Sequence, residues 1–147
     1  MKLIKVPANK SYRVIDAVGY IIENNRKLYG GNNNPNYQFN QIKDLRLLKR
    51  GSDLLRGDML IVKDVLIHFS NQDVVYFIDN ILSNFKYSLI TNDYTDDNNR
   101  NADIPTGKFR PIDLTFPPFN LKNMQLLLNY TNDGRIVKRV YLLTNFS

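Results

Sequence analysis

Gly57-Asp58-Met59-Leu60-Ile61-Val62-Lys63-Asp64-Val65-Leu66-Ile67-His68-Phe69-Ser70 is the stretch whose reading decides the fold. Met59 to Val62 is an apolar run without a polar interruption. A short run of this kind between polar residues predicts a strand buried on both faces, as in a parallel sheet. The run stops at Lys63-Asp64. Ser70-Asn71-Gln72-Asp73 then has the Ser-x-x-acid spacing of a helix start, with Ser70 as cap. The expected order is buried strand, short loop carrying Asp64 and His68, then helix. In open α/β sheets such loops collect at the carboxyl ends of the strands, where ligands sit.

Downstream, Val74, Val75, Phe77, Ile78, Ile81, Leu82 and Phe85 recur at helical spacing and predict a core stripe. Tyr87 to Thr91 reads as the next strand. Residues 92–119 carry little periodicity, and loops of this length in compact domains are usually functional or disordered. Two strand-like runs, Met124 to Tyr130 and Arg135 to Leu143, flank Asp133-Gly134, a hairpin signal.

Upstream, Tyr12 to Asp16 reads as a short buried strand ending on a carboxylate. Ala17 to Tyr29 follows as a helix, with Val18, Ile21, Ile22, Leu28 and Tyr29 on its apolar face. Gly30-Gly31 predicts a left-handed stop. Tyr37 to Ile42 alternates like a strand and is followed by Asp44. Lys43 to Arg56 is basic and reads as a short helix with a solvated face or as an anion-binding surface.

At 147 residues the chain is expected to form a single domain. With 43% apolar residues it has the material for a core, and a chain of this size buries roughly two-thirds of its surface on folding. It has no cysteine and one histidine, which excludes disulfides, thiolate metal sites and multi-histidine metal sites. No apolar run approaches the ~18 residues of a membrane span, and the N-terminal apolar segment is too short for a secretory signal. A cytoplasmic location is the default expectation. The net charge of +6 suits a solvated surface or an anionic partner such as nucleic acid or a phosphorylated small molecule.

Asp64-Val65-Leu66-Ile67-His68-Phe69-Ser70 resembles the Arg-Asp-x-Leu-x-His-x-Ser segment after the fourth strand in a group of class I S-adenosylmethionine-dependent methyltransferases, with Lys63 in place of the Arg. Tyr87 to Thr91 is similar to that group's Tyr-Leu-Leu-x-Thr. Asn101-Ala102-Asp103-Ile104-Pro105-Thr106-Gly107-Lys108-Phe109-Arg110-Pro111, followed by Pro117-Pro118-Phe119, resembles Asn-x-Asp-Ile-x-Thr-Gly-x-Trp-Arg-Pro and Pro-Pro-Phe, with Phe109 for the Trp. The resemblance implies a Rossmann-like sheet of order 3-2-1-4-5-7-6 and S-adenosylmethionine as cofactor. It implies that Asp16, with Ala17 beside it, holds the ribose hydroxyls, that Asp44 meets the adenine, and that Asp64 and Val65 line the cofactor's edge. His68 and Asp64 become the candidate catalytic groups, and Asn92, Thr106 and Arg110 the candidate acceptor-side residues. Structural alternatives stand beside these roles: a helix-start acid for Asp16, a structural imidazole for His68, and a loop pin to Asp103 or Asp113 for Arg110.

One part of the family's pattern has no counterpart. The seven glycines form no Gly-x-Gly turn, and none follows a strand ahead of Asp16. Met1 aligns with the Met of the family's Asp-Phe-x-Trp-Met, so the chain is expected to begin just after that turn, with strand one absent. A sheet lacking its central strand is expected to self-associate or to take a strand from a partner chain. The acceptor is unidentified, a small molecule being one candidate. A non-catalytic, methyltransferase-like binding or regulatory role is the alternative reading.

Overall fold

The computed structural model describes residues 7–30, 36–98, 100–132 and 136–145. The chain divides into two compact units, Met1–Leu47 and Leu48–Ser147.

The first unit is a strand-helix-strand. Strand β1 (Tyr12–Asp16) pairs in parallel with β2 (Tyr37–Gln41), with Asp16 opposite Gln41. Helix α1 (Gly19–Tyr29) connects them. Its entry is set by Asp16, whose Oδ1 accepts the Val18 N–H at 2.8 Å. Arg26 and Lys27 occupy its last turn, where positive charge complements the exposed carbonyls. Arg26 also donates to the Phe39 carbonyl at 2.9 Å, tying helix to strand. Ile22 is buried, whereas Val18 and Leu28, both expected on the inner face, are exposed. The helix stop also differs from expectation. Gly30 has φ −87°, not a left-handed value. A Cβ there would lie 2.6 Å from the Arg26 carbonyl oxygen, so close approach is what requires glycine. Gly31 lies outside the described residues.

The second unit holds a mixed four-stranded sheet of order β3-β4-β6-β5. Strand β3 (Gly57–Lys63) runs parallel to β4 (Phe85–Tyr94), and β6 (Ile136–Thr144) is antiparallel to both β4 and β5 (Met124–Asn132). The antiparallel ending predicted from the sequence is present; its Asp133-Gly134 turn lies outside the described residues. Helix α2 (Asn71–Asn80) starts as read: the Ser70 hydroxyl oxygen accepts the Asp73 N–H at 3.2 Å. The helix is shorter than its apolar stripe. Ile81, Leu82 and Phe85 are buried beyond its end, and Val75 is exposed. The basic segment 43–56 forms two 3-10 turns, Leu45–Leu47 and Asp53–Leu55, in place of a helix.

Burial of β3 departs from the expectation of two covered faces. Val62 is buried, but Met59 and Ile61 are 50% and 48% exposed. Register explains the split. Val62 aligns with Ile90, and Leu60 with Ser88 and through it Leu143; this face carries the buried row. Met59 and Ile61 align with Tyr87 and Leu89 on the other face, where no row is fully buried at that end. Among the described residues β3 also pairs with β4 alone, so it is an edge strand. An apolar run does not distinguish an edge strand with one packed face from a central one.

Candidate functional site

In the second unit, the carboxyl end of β3 and the adjoining part of β4 form one rim. Asp64 leaves β3 with φ 56°, and its N–H donates to the Thr91 carbonyl at 2.9 Å. A 3-10 turn over Leu66–His68 leads to α2, with Leu66 and Ile67 as buried anchors. Residues 101–113 are stitched along this segment. Gly107 N–H donates to the His68 carbonyl at 2.7 Å and Arg110 N–H to the Ile67 carbonyl at 3.0 Å. Asn71 N–H donates to Asp103 at 2.7 Å and Ser70 N–H to the Thr106 hydroxyl at 3.0 Å. The Thr106 hydroxyl in turn hydrogen-bonds the Asp73 carboxylate. The long non-periodic segment is therefore pinned at several points along the loop before α2.

His68 is exposed, and its Nδ1 lies 2.9 Å from the Lys108 carbonyl oxygen. A carbonyl only accepts, so the neutral ring carries its proton on Nδ1 and leaves a lone pair on Nε2. The Phe109 ring, 52% exposed, is tilted beside it with centroids 6.1 Å apart. Val65 is also exposed. The rim thus offers one hydrogen-bond acceptor with an apolar shoulder.

Asp64 is differently placed. Lys138 from β6 and Lys63 each reach it at 2.8 Å, and Lys138 also bonds the buried Asp93 carboxylate. Burial opposes ionisation of Asp64, and hydrogen bonds from the two lysines overcome it, so its pKa lies below the usual carboxylate value. Lys138 is opposed by burial in the same way. The two carboxylates outweigh that and hold its pKa above the usual lysine value. Asp64 is consequently an ionised, doubly paired group, a poor proton acceptor and an anchor for the loop. Neither Lys138 nor Asp93 was signalled by the sequence, because their partners lie 74 and 45 positions from Lys138.

The acceptor-side candidates are largely internal. Arg110 is buried, and its Nη2 donates to the Phe69 carbonyl at 3.1 Å and to Asn71 Oδ1 at 2.6 Å. It is a loop pin, but through these groups and not through hydrogen bonds to Asp103 or Asp113. Burial lowers its pKa, and the nearby Asp103 charge partly restores it. Asn92 is buried on β4, and its Oδ1 has no partner among the described residues. Thr106 Oγ1 is engaged as above. A further residue the sequence did not single out for a role, Asn101, organises the loop. It is buried with φ 66°, its amide donates to the Asp113 and Pro117 carbonyls at 2.8 and 2.9 Å, and its oxygen accepts the Asp113 N–H at 2.8 Å.

In the first unit, Asp16, Ala17 and Asp44 share the carboxyl end of the β1-β2 pair. Asp16 uses Oδ1 for the helix entry, and Ala17 accepts at its carbonyl from Gln41 Nε2 at 3.1 Å. Asp44 Oδ1 accepts the Arg46 N–H at 2.8 Å, capping the first 3-10 turn. Asp16 and Asp44 each keep a second carboxylate oxygen.

Among the described residues no cluster of three or more His, Cys, Asp or Glu could hold a metal ion, and no helix is long and apolar enough to cross a membrane. No protein-family model matches the chain, and no curated protein matches it in sequence.

Proposed function

We propose that this is a class I S-adenosylmethionine-dependent methyltransferase-type domain acting on an unidentified acceptor. The observation that carries the reading is strand order. In β3-β4-β6-β5, two parallel strands are followed by an antiparallel pair, as in the 4-5-7-6 half of that family's sheet. The parallel β1-β2 pair corresponds to strands two and three. The motif resemblance falls at the matching strand ends, which supports the same assignment.

The residues fit one end of the cofactor and not the other. The remaining oxygens of Asp16 and Asp44 are acceptors suited to ribose hydroxyls and an adenine amino group. For the methionine end this sequence supplies no Gly-x-Gly turn of its own, and the Asp64 carboxylate is committed to Lys63 and Lys138. His68 is the acceptor-side group in this reading: Nε2 receives or orients a proton of an acceptor hydroxyl or amine, while Lys108 and Phe109 fix the ring.

Isothermal titration with S-adenosylhomocysteine tests the reading. Saturable heat that weakens in Asp16→Ala supports cofactor binding. Absence of binding ends the enzyme reading and leaves the second one, a methyltransferase-like binding or regulatory protein. The locked state of Asp64 favours that second reading. So does the edge position of β3, which among the described residues pairs with β4 alone and where a partner's strand would add.

A further inference from the structure

A concavity lies at the opposite end of the four-stranded sheet from the His68 rim. It measures about 680 Å³ and is bordered by Arg50, Ser83 to Lys86, Asn123, Thr144 and Asn145. Phe85 begins β4 and Thr144 ends β6. Phe85 and Asn92 are seven residues apart on one strand, so this cleft and the His68 rim are separated by about 23 Å.

Two asparagines build its walls. Asn84 Oδ1 accepts the Gly51 N–H at 3.1 Å, while its amide donates to the Asn80 and Ile81 carbonyls. The Gly51 turn is closed by Ser52 N–H on the Lys49 carbonyl at 3.0 Å, with Gly51 at φ 82°. Arg50 stands at the corner of that turn, so Asn84 fixes its backbone. Asn145 does the same on the other side. Its amide donates to the Leu82 and Phe85 carbonyls at 3.0 and 2.9 Å, and its N–H to the Lys86 carbonyl at 3.0 Å. The two amides are thus spent on holding backbone, and the cations on those segments are left over. Arg50 and Lys86 are exposed and have no carboxylate partner among the described residues; Lys86 lies 5.1 Å from the centre of the Tyr87 ring. No lining residue is acidic.

We propose that this cleft binds the phosphate group of a small phosphorylated molecule, with Arg50 and Lys86 as its two cationic contacts. Two positive charges carried on held backbone match a phosphate monoester of charge about −2. A carboxylate offers half of that. Arg supplies a planar fork for two phosphate oxygens, and Lys supplies a point charge. The volume falls within the range of about 300–1,000 Å³ typical of small-molecule sites, well beyond what an inorganic ion fills, so the remainder of the ligand meets the polar Ser83, Asn123 and Thr144 side. Nucleic acid is less well suited, because backbone tracking uses a row of cations along a groove.

The test is a titration of the full chain followed through backbone amide signals in ¹H–¹⁵N spectra. The probes are inorganic phosphate and glycerol phosphate, with acetate as the singly charged control. The expected result is saturable shifts at Gly51, Lys86 and Asn145, tighter for the phosphates than for acetate. In Arg50→Gln/Lys86→Gln affinity drops by about tenfold or more, and Lys86→Arg binds as the parent does. Three results overturn the proposal: no saturation at these amides up to about 10 mM, equal response to acetate, or unchanged affinity in the folded double variant. A short single-stranded oligonucleotide that binds more tightly than either phosphate, with shifts running well outside the cleft, also overturns it in favour of an extended nucleic-acid surface.

Discussion

Lys138 shows how one ammonium can pair with two carboxylates. Its side chain is 10% exposed and that of Asp93 is 6% exposed. Replacing it with methionine leaves the buried Asp93 carboxylate without its cation and Asp64 with Lys63 alone. Breaking a buried pair from one side costs about 3–5 kcal/mol, so Lys138→Met is expected to lower the urea midpoint strongly. A loss below ~1 kcal/mol in equilibrium unfolding would show the cluster to be effectively solvated. The pH dependence has a fixed sign. The depressed folded pKa of Asp64 gives stability that is complete above the unfolded carboxylate value of about 3.9 and is lost as pH falls through the lower folded value. The raised pKa of Lys138 gives stability complete below about 10.4 and lost as pH rises through the higher folded value. Asp64→Asn should therefore flatten the acid limb of the stability profile, and an unchanged acid limb would contradict the assignment. For His68, long-range ¹H–¹⁵N spectra of the neutral ring should report the proton on Nδ1. Finding the Nε2-protonated form would remove the Lys108 contact and with it the free acceptor on Nε2.

Secondary-structure elements were readable where a local signal sits inside a few residues. Ser70 and Asp73 announced the start of α2 because capping is a contact three positions long. Ser70→Ala should cost about 1 kcal/mol in thermal or urea unfolding; no change would mean that Thr106, which already accepts the Ser70 N–H, carries that helix end alone. The end of α1 was readable only in part. Two glycines indicated a stop, but the geometry at Gly30 depends on the distance to Arg26, which no dipeptide rule contains. Gly30→Ala is expected to destabilise by about 1–3 kcal/mol despite its ordinary φ, because the Arg26 carbonyl must move. A neutral or stabilising result, as expected where alanine merely restricts the unfolded chain, would show that the helix end shifts freely. The 101–113 segment was the hardest to read. Its order comes from single hydrogen bonds to residues 67–73 and from Asn101, none of which leaves a periodic trace. Asparagine also serves the turns of this region: Asn101, Asn120 and Asn123 adopt positive φ, a conformation this residue tolerates.

The difference between the two units governs behaviour at the scale of the molecule. The second unit contains four strands and nearly all of the buried apolar residues, with Leu66, Val74, Ile90 and Leu114 almost wholly enclosed. Among its described residues the first contains two strands and one helix, and only Ile22 is a buried apolar side chain. Two-stranded sheets are marginal without a packed face, and opening free energies within one chain range from near zero to the global value. Native-state hydrogen exchange should therefore rank the amides by unit and by strand. Those of β4, paired on both sides by β3 and β6, should exchange slowest and report the global unfolding free energy. Those of β1, β2 and α1 should open at a lower free energy and with a smaller denaturant dependence, since little surface is released. If β1 and β4 instead shared one free energy and one slope, the chain would unfold as a single cooperative block, and the stability of the Asp16 end would be inseparable from that of the His68 rim.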